Sequence, residues 1–207
     1  MKVENVKAVI KDIDGLYLVG ESSYPDSNAY SFLGGHSEKD ETPFETLGRE
    51  IMEESSMVLD FSYDDKKGFY IKDANHNRVD LVFNKIATVD KKWFVFFDVD
   101  QALSLLISSW QDQFRKNQNK IIMDAVGSLL EIYPTINWLK LFGLFRNRKF
   151  SEIKNVLDRN LSKGQVKNII QYMKDVGYYL ENKNLILTDE KDLRNKIYEK
   201  EALFNLS

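Results

Sequence analysis

The stretch from Gly35 to Met57, GHSEKDETPFETLGREIMEESSM, constrains this chain more than any other. Thr42 and Glu45 have the Thr-x-x-Glu spacing of a capping box, in which each side chain reaches an orphan amide at a helix start. Pro43 stands at the first helical position, where its missing N–H costs nothing. The spacing predicts a helix from Pro43 to about Ser55. Phe44, Leu47 and Ile51 recur at three- and four-residue intervals, the stripe that a helix buries against a core. Glu50, Glu53 and Glu54 lie at i, i+3 and i+4, which crowds three carboxylates on a neighbouring face. On a merely solvated helix, Glu45–Arg49 and Arg49–Glu53 pairs would return only ~0.2–0.5 kcal/mol each. Stacked like charges call for a stronger compensation. A hard divalent cation such as Mg²⁺ takes carboxylate oxygens, with water and phosphate completing its shell.

The same stretch resembles the Nudix box, Gly-x5-Glu-x7-Arg-Glu-U-x-Glu-Glu-x-Gly-U, where U is a bulky aliphatic residue. Gly35, Glu41, Arg49, Glu50, Ile51, Glu53, Glu54 and Met57 match it in register. Ser56 stands where the second glycine is usual. Glycine adopts the left-handed conformation of a helix C-terminus freely, so a serine there costs on the order of 1 kcal/mol and removes no ligand.

The resemblance implies an α/β fold, a Nudix α/β/α sandwich with a mixed sheet. It implies a Mg²⁺-dependent pyrophosphohydrolase, with Mn²⁺ as the alternative metal. Water would attack phosphorus within the diphosphate of a nucleoside diphosphate linked to another moiety: ADP-ribose, a dinucleotide or a nucleotide sugar. Carried onto this chain, Glu53 and Glu54 are metal ligands, and Glu50 is a ligand or the general base. The carbonyl of Gly35 (or Gly34) also reaches the metal. Arg49 orients the catalytic glutamate, Gly34 and Gly35 bring backbone close to the pyrophosphate, and Glu41 anchors the loop. Many family members add a glutamate from a later loop. None occurs here between Glu54 and Glu131, which leaves Asp90, Asp98, Asp100 or Asp112 for that role, each of which also reads as an ordinary surface residue.

At 207 residues the chain is long enough for one large domain or two small ones. The absence of cysteine excludes disulfides, thiolate catalysis and cysteine-held zinc, and fits a reducing, cytoplasmic setting. Two histidines, His36 and His76, argue against a histidine-rich metal site. The start, MKVENVKAVIKDIDG, has no apolar core of a signal peptide. The most apolar windows, 93–99 and 102–107, are broken by Asp98 and Asp100 and fall far short of a membrane span. Charge is uneven: residues 1–130 hold 15 Lys+Arg against 22 Asp+Glu, and residues 131–207 hold 14 against 10. That asymmetry suggests two units with different partners.

Along the chain, 6–20 reads as a hairpin around Asp14-Gly15. A short strand at 30–33 runs into Gly34-Gly35. Strands are expected at 58–63, 69–72, 78–89 and 93–99, the last apolar enough to be covered on both faces. Helices are expected at 102–109 and 114–133, closing a Nudix domain over 1–135. The remainder, 140–207, has helical periodicity at 150–159 and 163–178, with Ser162 as a cap. Leu180–Leu187 reads as a tight hairpin turning at Asn182–Asn184. Helix, helix and wing, with Lys163, Lys167 and Lys174 on the second helix, make a winged-helix-like module. It would hold nucleic acid or serve dimerisation. Two further functions fit this layout. One is a transcription regulator that senses a nucleotide and binds DNA through the winged helix. The other is an RNA 5′-cap hydrolase, since viral decapping enzymes also have serine after the paired glutamates and a basic module suits an RNA backbone.

Overall fold

The computed structural model describes residues 3–21, 29–146, 149–179 and 184–206. The chain divides into two compact units: Met1–Phe114 together with Asn182–Ser207, and Arg115–Glu181.

The first unit is built on a mixed sheet. Apolar alternation at Asn5–Lys11 (β1) and Tyr17–Glu21 (β2) makes an antiparallel hairpin turned by Gly15 at φ +80°. Asp12 is buried and holds that turn, its carboxylate accepting from Asp14, Leu16 and Leu103 N–H. Tyr30–Ser31 (β3) pairs with β2, and Leu33–His36 (β4) pairs with the first half of β1. A single helix, Pro43–Glu54 (α1), then leads to Leu59–Asp64 (β5), Gly68–Asp73 (β6), Arg78–Val89 (β7) and Lys92–Val99 (β8). These four form an antiparallel meander, and β8 returns parallel to β1. Strand order is β3-β2-β1-β8-β7-β6-β5.

Both faces of the sheet are covered. On one face Val6, Ala8, Ile10, Val95 and Phe97 pack with Leu47 and Ile51 of α1 and with Trp110 and Phe114. On the other, Val9, Tyr17, Phe94 and Phe96 pack with Leu193, Ile197 and Ala202. Alternation along β1 sends successive side chains into these two cores. The result is the expected α/β sandwich, but its second helical layer is made by the last stretch of the chain: Glu190–Lys196 (α6) and a 3₁₀ helix at Lys200–Asn205.

That return corrects the expected division at 135–140. Asn184–Thr188 (β9) pairs antiparallel with β2, from Tyr17↔Thr188 to Glu21↔Asn184. The anticipated wing turn at Asn182–Asn184 lies mostly outside the described residues. Its described arm is a strand of the first sheet, because Leu185, Ile186 and Leu187 supply apolar side chains to both covered faces. The two helices expected at 102–109 and 114–133 are one helix, Ser104–Ile132 (α2), since nothing between them breaks the backbone ladder.

The second unit is helical. The later part of α2 packs with Trp138–Arg146 (α3), Phe150–Leu157 (α4) and Lys163–Tyr179 (α5) through Ile122, Leu129, Trp138, Leu141, Ile153 and Val166. Ser162 caps α5 as expected, its hydroxyl accepting from Gln165 N–H at 3.4 Å. Lys163, Lys167 and Lys174 are exposed on α5. No helix among the described residues is long and apolar enough to cross a membrane.

Candidate active site

The capping box forms as the sequence requires. Thr42 N–H donates to Glu45 Oε2 at 2.8 Å, and Glu45 N–H donates to the Thr42 hydroxyl at 3.3 Å. This start fixes the rotation of α1, so Leu47 and Ile51 face the core while Arg49, Glu50, Glu53 and Glu54 face the strand carrying Gly34 and Gly35.

Arg49 is the hub. Its Nε donates to Glu41 Oε1 at 2.7 Å and its Nη2 to Glu41 Oε2 at 3.1 Å, a bidentate fork. Its Nη1 reaches Glu50 Oε1 at 2.9 Å and Glu53 Oε2 at 3.2 Å. Nη2 also donates to the carbonyl of His36 at 2.8 Å, which ties the helix to the end of β4. The guanidinium and the Glu38 N–H hold the Glu41 carboxyl down at about 2. Burial pushes Glu50 up against the lowering pull of Arg49.

Two glycines admit this packing. A Cβ on Gly34, at φ +128°, would stand 2.2 Å from the Val6 carbonyl oxygen. A Cβ on Gly35 would stand 2.3 Å from the Glu50 carboxylate, so Glu50 occupies space that only glycine leaves. Gly34 N–H donates to Glu54 Oε2 at 3.0 Å. Gly34, Gly35, Glu41, Arg49, Glu50, Glu53 and Glu54 are thus gathered in one place.

Among the described residues no group of three acidic or histidine side chains is gathered into a ready metal cage. The reason is visible in the hydrogen bonds: Glu50 and Glu53 lean on Arg49, and Glu54 on the Gly34 amide. The donor set nonetheless fits a hard divalent cation. It offers carboxylate oxygens beside a backbone stripped of side chains, with no sulfur among them.

The later aspartates are dispersed. Asp98 on β8 is exposed and accepts from Asn84 at 2.7 Å, Asp90 sits in the β7–β8 turn at φ +54°, and Asp112 lies on α2. Of the aromatics near the site in sequence, Phe32 is fully buried, Tyr30 donates its hydroxyl to Asp192, and Phe69 stacks on Phe61 and packs at a tilt against Phe44. They are core residues. Sequence reasoning missed two residues next to the glycines, Lys7 and Glu199. The first carries a weak signal, a lysine inside the apolar run NVKAVIK. The second carries none.

No family model matches the chain, and no curated protein matches it. Solved structures similar to part of it include the following two. The solution structure of the E. coli ORF135 protein is 21% identical with a TM-score of 0.27, over 49% of this chain and 61% of that one. The crystal structure of the MutT protein from Methanosarcina mazei Go1 is 18% identical with a TM-score of 0.26, over 49% and 63%. The chain therefore spans under two thirds of each of these proteins.

Proposed function

We propose that the chain is a divalent-metal-dependent pyrophosphohydrolase of the Nudix type, acting on the diphosphate of a nucleotide conjugate. One observation carries this reading: Arg49 gathers Glu41, Glu50 and Glu53 while Glu54 grips the Gly34 amide, and the missing Cβ of Gly35 makes room for the Glu50 carboxylate.

Glu53 and Glu54, with the Gly35 carbonyl, would hold the cation. Such a cation neutralises phosphate charge and lowers the pKa of a bound water. The chain's own groups supply the rest. Gly34 and Gly35 let backbone approach the diphosphate closely. Glu50, nearest that backbone, accepts the proton of the attacking water as it adds to phosphorus, and the bridging P–O bond breaks to leave two phosphomonoesters. Arg49 aims Glu50 and Glu53 through its hydrogen bonds, and Glu41 holds Arg49.

Incubation with Mg²⁺ and a panel of ADP-ribose, dinucleotides and nucleotide sugars tests this. The expected result is release of a nucleoside monophosphate from at least one member, abolished by a chelator. Absence of turnover across the panel overturns it.

A further inference from the structure

Lys7 interrupts the apolar face of β1 and is only 8% exposed. Its ammonium donates to the carbonyls of Phe32, at 3.2 Å, and Gly34. It also lies 3.5 Å from Glu199 Oε1. Glu199, 5% exposed, sits between α6 and the 3₁₀ helix, and its other oxygen accepts Phe32 N–H at 3.3 Å. Around it the segment is docked by apolar burial of Leu193, Ile197 and Ala202 and by Tyr198 N–H donating to the Tyr30 carbonyl at 2.8 Å.

Docking alone does not call for an ion pair. Two charges taken out of water carry a desolvation penalty that well-packed apolar side chains avoid, so a buried pair is weak evidence for stability. Here both charges converge on the backbone of 32–34. Residue Gly34 is then held on both sides of its Cα, its carbonyl by Lys7 and its N–H by Glu54.

We propose that Glu199 is a positioning residue of the candidate site: through Lys7 and the Phe32 amide it fixes the strand that sets Glu54. The end of the chain is thereby coupled to turnover. The turnover half rests on the hydrolase reading; the backbone half does not.

The test uses the full chain and Glu199→Gln, with amide exchange read by NMR alongside turnover. The Phe32 and Gly34 amides are expected to exchange at least about tenfold faster, while β7 and β8 keep their protection. With a turned-over conjugate, kcat is expected to fall about tenfold with KM within about twofold, the signature of misplaced reacting groups rather than lost binding. Unchanged Gly34 exchange overturns the proposal, as does acceleration spread evenly over the sheet, which marks ordinary destabilisation. If the wild type turns over nothing, the hydrolase reading fails alone and Gly34 exchange still decides this one. If Glu199→Gln does not fold, Glu199→Asp, with the charge kept and the reach shortened, is read by the same criteria.

Discussion

Adjacent glycines in this chain do different work. Gly34 has a positive φ and a backbone oxygen 2.2 Å from any Cβ, and neither can move without breaking the β1–β4 ladder. Gly34→Ala is expected to cost about 3 kcal/mol or more in denaturant unfolding. The neighbour of a Cβ on Gly35 is instead the end of a side chain, the Glu50 carboxylate. Gly35→Ala is expected to leave stability nearly intact and to lower turnover by displacing Glu50. Glu41 makes a pH-dependent contribution. Its folded pKa of about 2 lies below the ordinary 4.5, so its stabilisation is complete above about pH 4.5 and disappears as pH falls from there toward 2. Glu41→Gln is expected to flatten that limb of a stability-against-pH curve, and an unchanged limb would show that the Arg49 fork adds nothing.

Elements differ in how far their sequence specifies them. The start of α1 was legible because a capping box and Pro43 act locally. Its end was legible too: Ser56 has φ +52°, the conformation the missing glycine would take. Ser56→Gly is expected to raise stability by ~1 kcal/mol, measured by urea unfolding. The strands at 78–89 and 93–99 were readable from alternation and apolar continuity. By contrast, β9 and α6 take their place from a sheet edge and an apolar face formed some 170 residues earlier, which no local pattern announces. The window 180–187 reads equally as an arm of a wing. Leu193, the fully buried residue of α6, reports on this layer. Leu193→Ala is expected to destabilise the first unit by about 2–5 kcal/mol, and a cost near zero would mean that α6 contributes no packing.

Across the whole molecule, the acidic first part and basic remainder of the sequence do not coincide with the two units, because Asn182–Ser207 belongs with the acidic sheet. Charge asymmetry signalled two units and misplaced their border for that reason. The residues of the candidate site were legible in the sequence because all seven fall within 21 positions, and the register of four of them on α1 fixes which side chains face the glycines. Its support was not, because Lys7 and Glu199 meet only through the fold. On the proposed function, the carboxylates of α1 carry the hydrolysis of a diphosphate. The most direct measurement is Mg²⁺-dependent turnover of the best conjugate by Glu53→Gln and Glu54→Gln, with thermal unfolding of each variant in parallel. A loss on the order of 100-fold or more in kcat at an unchanged melting temperature is predicted. Full turnover by either folded variant would contradict it.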